Sequence, residues 1–272
     1  MNDIFGKDLT SLKNKKIYLL DMDGTIYLGN RLFDETLPFL RRIKAKGGRY
    51  LFITNNSSKS VTSYVEKLKR LGIADAKEAD FFTSAQAAEL LLKEQFPHQL
   101  IYVQGTHSFV DGLKKASISV TESYSDEAKA IFLGFDSELT MEKLETTAKM
   151  LTFHPNIPYF ATNPDWVCPT EWGYVPDCGS MCFGLEKATG RKPYFIGKPE
   201  KTMVEIALRK NGYRKEDALV IGDRLYTDIA SGNNAGVTTV CVLTGEVKKA
   251  EVLQATGVER PTYLVENLSS VE

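Results

Sequence analysis

The sequence predicts an α/β protein: a doubly wound parallel sheet flanked by helices and interrupted by a smaller inserted α/β domain. Three observations carry this. Short apolar runs without alternation, at Ile17-Tyr18-Leu19-Leu20, Tyr50-Leu51-Phe52-Ile53 and Ala218-Leu219-Val220-Ile221, suit strands buried on both faces. Segments with helical spacing separate such runs, and that alternation implies a parallel sheet. Acidic and hydrogen-bonding residues collect at 21–56 and again at 197–228, whereas the stretch between lacks such strand-end clusters. A core split by an insertion explains that distribution, with residues 1–82 and 192–272 as core and 83–191 as the inserted domain.

Each element follows from its local pattern. After the strand that ends at Leu20, Leu37, Phe39, Leu40 and Ile43 keep helical spacing, and Gly47-Gly48 supplies a left-handed stop. Arg49–Thr54 reads as the second strand. Ser57 or Ser58 can cap the next helix, whose buried stripe is Val61, Tyr64, Val65, Leu68 and Leu71, with Gly72 past its end. In the inserted stretch, strand patterns at 100–103, 130–135 and 157–161 alternate with helical patterns at 84–96, 140–152 and 178–189. The core resumes with a helix carrying Met203, Ile206, Ala207 and Leu208, then the strand leading to Gly222-Asp223, a short helical stretch ending at Gly236, and a β-branched run over 237–243.

Composition narrows the function. The chain has 272 residues, with 34 Lys+Arg against 35 Asp+Glu, so no chain-wide field draws it to nucleic acid or to an anionic membrane. No apolar stretch approaches the roughly 20 residues that span a bilayer, and residues 1–16 carry no apolar signal segment. A soluble, cytoplasmic protein acting on a small molecule is expected. The four cysteines form no CxxC pair and only three histidines are present, which argues against a zinc site. Cys178 and Cys182, spaced i, i+4, read as reduced thiols packed as small apolar groups.

Four strand-end motifs carry the chemistry: Asp21-Met22-Asp23-Gly24-Thr25, Thr54-Asn55-Asn56-Ser57-Ser58, Gly197-Lys198-Pro199 and Gly222-Asp223-Arg224-Leu225-Tyr226-Thr227-Asp228. In an open α/β sheet ligands lie beyond the carboxyl ends of the strands, so the four can converge. Acids at the end of a buried strand are costly unless something cationic binds there. Asp21, Asp23 and Asp223 offer hard oxygen ligands of the kind magnesium accepts, and Lys198 would help balance an anion. The Thr54 hydroxyl and the Asn55 and Asn56 amides, beside a helix start, would complete a phosphate cradle.

Together these motifs resemble those of the haloacid dehalogenase superfamily of phosphatases. Ala161-Thr162-Asn163-Pro164-Asp165 and Gly190-Arg191-Lys192-Pro193 are similar to the NagD-like, or 4-nitrophenylphosphatase-like, branch, which has a Rossmann-like core and an α/β cap. The resemblance implies a magnesium-dependent phosphomonoester hydrolase. Asp21 would be the nucleophile that forms an aspartyl phosphate, and Asp23 the general acid and base. Asp21, Asp223 and the Asp23 carbonyl would hold the metal. Thr54, Asn55, Asn56 and Lys198 would bind the phosphoryl group, with Asp228 positioning Lys198. In the cap, Asn163, Asp165, Trp166, Val167, Cys168, Glu171, Trp172 and Tyr174 are candidate substrate contacts, against a competing role in packing the cap itself.

In that branch the substrates are small phosphorylated metabolites: sugar phosphates, nucleotides, pyridoxal phosphate or phosphoglycolate. Homodimerisation through the cap is common there, although no apolar stripe here marks an interface. Two alternatives use the same fold, a phosphotransferase and a non-catalytic metabolite-binding regulatory protein. A haloalkanoate dehalogenase needs neither a second acid nor a divalent cation, so Asp23 and Asp223 together favour phosphoryl transfer.

Overall fold

The computed structural model describes residues 2–56, 61–170 and 172–271. Ser57, Ser58 and Glu171 fall outside the described residues. The chain forms two compact units. Residues up to Thr54, Val61–Phe82 and those from Lys198 onward make the first; Asn55, Asn56 and Thr83–Gly197 make the second.

The first unit is built on a six-stranded sheet. Its order in space is Tyr263–Val265, Thr238–Val242, Ala218–Gly222, Ile17–Leu20, Arg49–Thr54 and Phe81–Thr83. Every residue of Ile17–Leu20 is buried, and this strand runs parallel to both neighbours, with Leu19 facing Val220 on one side and Leu51 on the other. The sheet therefore grows outward in both directions from its first strand. The reversal falls between Ile17–Leu20 and Ala218–Gly222, which is the switch point where an open α/β sheet leaves a crevice at its carboxyl edge.

The helices follow their apolar stripes. Thr36–Ala45 buries Phe39, Leu40 and Ile43, and Gly47 takes the left-handed turn after it (φ +71°). Val61–Arg70 buries Tyr64, Val65 and Leu68. Thr202–Asn211 buries Met203, Ile206, Ala207 and Leu208 and stops at Gly212 (φ +72°). Two features were not expected. An antiparallel pair, Tyr27–Leu28 with Arg31–Leu32, follows the first motif, and the helical stretch after Gly222 opens as a wide turn over Leu225–Ile229 before Ala230–Asn234.

The second unit has a five-stranded sheet of its own, ordered Tyr194–Phe195, Tyr159–Ala161, Ala130–Leu133, Ile101–Gln104, Val120–Thr121. Adjacent strands are parallel. Ser84–Gln95, His107–Lys115, Met141–Phe153 and Cys178–Thr189 are helices of this unit; the second and the hairpin Val167–Thr170/Gly173–Pro176 were not foreseen. Its core includes Tyr102, Ile131, Leu133, Met150, Tyr159, Cys178 and Cys182. The expected boundary at 191/192 moves to 197/198, because Tyr194 and Phe195 pair with Phe160 and Ala161 and extend this second sheet.

Among the described residues no helix is long and apolar enough to cross a membrane. All four cysteines are free, with Cys178, Cys182 and Cys241 buried. Leu19 is fully buried at the centre of the first sheet. Leu19→Ala should cost about 2–5 kcal/mol through lost burial and a residual cavity, read as a lower urea midpoint, whereas Leu253→Ala, at a half-exposed helix position, should stay within ~0.5 kcal/mol.

Candidate active site

The carboxyl ends of Ile17–Leu20 and Ala218–Gly222 bring four charged side chains together in the first unit. Asp21 directly follows its strand, anchored there by its backbone N–H donating to the Ile221 carbonyl (2.9 Å). The chain then reverses at Gly24, where φ is +87° and a Cβ would overlap the Asp223 carboxylate. Both the conformation and the close approach demand glycine. Thr25 is buried, and its hydroxyl donates to Asp223 Oδ1 (3.3 Å).

Lys198 is 4% exposed. Its Nζ lies 2.6 Å from Asp21 Oδ1 and 2.6 Å from Asp228 Oδ1. Asp228 sits inside the wide turn and accepts the Arg224 backbone N–H at Oδ2 (3.2 Å). A Cβ on Gly222 would overlap Asp228, so a glycine before Asp223 lets this carboxylate close over the strand end. Such one-residue widenings of a helix recur at functional sites.

The loop after Thr238–Val242 also contributes. Glu246 N–H donates to Asp223 Oδ2 (2.7 Å), Thr244 Oγ1 donates to the Gly24 carbonyl (2.6 Å), and a Cβ on Gly245 would overlap Asp223. None of these three residues was singled out from the sequence. The available signal was positional: Thr244-Gly245-Glu246 closes a buried strand of the same sheet and so belongs to its ligand edge.

Electrostatics show what the cluster lacks. Burial first, then the neighbouring Asp228, push the Asp21 carboxyl up to about 7 against the opposing pull of Lys198. Burial and Asp228 likewise push Asp223 up to about 6. Burial alone would lower Lys198, but Asp21 and Asp228 outweigh it and hold the ammonium above its ordinary range. Arg224, with Nε 2.9 Å from Glu246 Oε2, also lends positive charge to Asp21 and Asp223. Among the described residues, two cations, Lys198 and Arg224, thus face four carboxylates, those of Asp21, Asp223, Asp228 and Glu246.

Oxygens of Asp21, Asp223 and Asp228 lie within 4.8 Å of one another. A divalent cation with a preference for hard oxygen fits both this donor set and the missing positive charge. The exposed Asp23 contributes no carboxylate oxygen to that cluster. Its backbone bridges to Tyr27 beside the Gly24 turn.

The other expected site residues divide between the units. Thr54 ends the strand next to Ile17–Leu20 and is partly buried. Asn55 and Asn56 belong to the second unit. The Asn55 carboxamide donates to Asp165 Oδ2 and Oδ1 (3.1 and 3.3 Å), and the Asn56 Nδ2 lies 3.7 Å from Cys168 Sγ. Asn163 is fully buried and donates to the Asn55 carbonyl (3.1 Å). Trp166, Val167, Trp172 and Tyr174 are exposed, with Trp166 edge-on to Phe183.

A model of the haloacid dehalogenase-like hydrolases matches residues 18–119, and a second HAD-hydrolase-like model matches 195–271. The 5'-nucleotidase YutF of Bacillus subtilis is 33% identical over 258 residues, covering 95% of this chain and 98% of its own length. The chain belongs to the haloacid dehalogenase-like hydrolases. Within them, the crystal structure of a 4-nitrophenylphosphatase from Thermotoga maritima aligns with a TM-score of 0.86 at 35% identity, over 96% of this chain and 99% of that one. A glycerol phosphate phosphatase from Mycobacterium tuberculosis, crystallised with magnesium, aligns at 0.86 and 31%, over 100% and 79%. This haloacid dehalogenase-like chain lies on the NagD-like, 4-nitrophenylphosphatase-like branch.

Two stability measurements test the charge account. Because the folded chain holds the Asp21 proton more tightly than the unfolded chain, stability from that proton is full below the unfolded value near 3.8 and is lost as pH rises through about 7. In EDTA, Asp21→Asn should therefore gain on the unaltered protein between pH ~4 and ~7 in thermal melts; a gap independent of pH would contradict the raised carboxyl. Added magnesium should raise stability by about 2.7 kcal/mol at a hundredfold excess over its dissociation constant, and Asp223→Asn should remove most of that shift.

Proposed function

We propose that this chain is a magnesium-dependent phosphomonoester hydrolase that works through a phosphorylated Asp21. The observation that carries the reading is the buried Lys198 held between Asp21 and Asp228, beside Asp223, with negative charge left uncompensated at the switch point of a parallel sheet. Asp21, Asp223 and the Asp23 carbonyl would hold the cation. When bound, it supplies positive charge to the phosphoryl oxygens and keeps the Asp21 carboxylate ionised.

The reaction then divides among named atoms. An Asp21 carboxylate oxygen attacks phosphorus, and the bond to the ester oxygen breaks. Asp23 delivers a proton to that departing oxygen. In the second half, Asp23 takes a proton from water, the oxygen attacks the phosphorus of the aspartyl phosphate, and inorganic phosphate leaves with Asp21 restored. Lys198 and the Thr54 hydroxyl orient the phosphoryl oxygens throughout, while Asp228 keeps the ammonium in place. The machinery acts on the phosphoryl group, so small phosphomonoesters are the substrate class. Relatives named for nucleotides, 4-nitrophenyl phosphate and glycerol phosphate support that breadth.

Release of 4-nitrophenol and inorganic phosphate in magnesium tests the proposal. Asp21→Asn should abolish turnover, and unchanged turnover would remove Asp21 from the nucleophile role. Lys198→Met should lower kcat by about 10²–10³, the scale of losing one preorganised electrostatic donor. A stoichiometric transfer of phosphate to an added alcohol, with no free phosphate, would make the chain a phosphotransferase instead.

A further inference from the structure

Within the second unit, Asn55 and Gly197 are held by one buried knot. Asn163 donates to the Asn55 carbonyl (3.1 Å), which also accepts Ser84 Oγ (2.6 Å). Asn163 Oδ1 accepts the Asp165 N–H (3.0 Å), and Asp165 turns its carboxylate back onto the Asn55 amide. Gly197 N–H donates to the Thr162 carbonyl (2.8 Å), and a Cβ on Gly197 would overlap both that oxygen and Asn55 Oδ1. The ring of contacts closes on itself, and Asn163 at its centre has no exposure to solvent.

The two residues so gripped are special in sequence. Asn55 follows Thr54 by one peptide bond, and Gly197 precedes Lys198 by one. Fixing residues 55 and 197 restricts where the chain can place the Thr54 hydroxyl and the start of the Lys198 side chain, because one peptide plane leaves few soft dihedrals between them. We infer that Asn163 and Asp165 are positioning residues for phosphoryl binding, acting through Asn55 and Gly197 on Thr54 and Lys198, and not selectors of the leaving group. This rests on the phosphatase reading above. A fully buried amide whose groups are bonded within the protein has little left to offer a substrate, and a misplacement on the order of 1 Å at the reacting group can cost 10²-fold in rate.

Inorganic phosphate separates the two roles, since it carries the phosphoryl oxygens and no leaving group. Asn163→Ala should raise the dissociation constant for inorganic phosphate in magnesium, measured by calorimetry, by about tenfold. It should also lower kcat for 4-nitrophenyl phosphate and glycerol phosphate by the same factor, leaving their kcat/KM ratio unchanged. Asp165→Ala should repeat this pattern, and Asp165→Asn, whose Oδ1 still accepts from Asn55, should recover most of the loss. Unchanged phosphate binding with a shifted ratio between the substrates would overturn the inference in favour of a specificity role; no change in either would overturn it outright. If Asn163→Ala does not melt cooperatively, the Asp165 pair decides. Failure of the unaltered protein to hydrolyse either ester counts against the phosphatase reading, whereas a turning-over protein indifferent to these substitutions counts against the positioning role alone.

Discussion

The site depends on one buried cation shared by two carboxylates. Lys198 would not remain charged at 4% exposure without partners, and Asp21 and Asp228, each 2.6 Å away, make the ammonium the favoured form. Removing either carboxylate from such a pairing leaves charge buried without compensation, which costs several kcal/mol in general. Lys198 lies 177 residues from Asp21 and 30 from Asp228. The interaction therefore ties the two ends of the chain to one point and gives the interrupted core a reason to close there.

Backbone proximity is the second constraint. At Gly24, Gly222 and Gly245 a Cβ would overlap a site carboxylate, so the acids pack against main chain where larger residues would hold them apart. Close packing sets the charge problem as well as the geometry. Carboxylates brought this near one another repel, and that repulsion, added to burial, raises Asp21 and Asp223. The same compression that holds the oxygens within 4.8 Å leaves them short of positive charge. Cation affinity and metal-free strain thus have one origin.

What the sequence made legible was local. Ile17–Leu20, Ala218–Gly222 and the acids that close them are readable because an uninterrupted apolar run followed by carboxylates has few interpretations in a parallel sheet. The helix stops at Gly47, Gly72 and Gly212 were equally plain, each with positive φ. Long-range pairing was not. Tyr194–Phe195 reads as a core strand because Gly197-Lys198 follows it, yet its hydrogen-bonding partner is Tyr159–Ala161. Nothing in the Thr244-Gly245-Glu246 tripeptide announces that its amide would meet Asp223. Neither pattern nor spacing reveals that the polar groups of Asn163 and Asp165 meet Asn55, more than a hundred positions away.

Asp21 and Asp23 show why spacing alone could not divide the labour between two acids. They stand two residues apart, both ahead of the turn at Gly24, yet their surroundings differ. Asp21 lies against Lys198 in the cluster, where charge neutralisation fixes the carboxylate and aims it. Asp23 is exposed, with its backbone engaged by Tyr27 and its side chain outside the cluster. In the mechanism proposed above, Asp21 as nucleophile would gain from being held and stripped of competing water, whereas Asp23, giving up a proton and later taking one back, would need exchange with its surroundings. Pairs of carboxylates take separate roles when their environments differ. The reversal at Gly24 follows both acids, and only glycine accommodates it so close to Asp223, so the turn sets the space in which the Asp223 carboxylate meets the end of Ile17–Leu20.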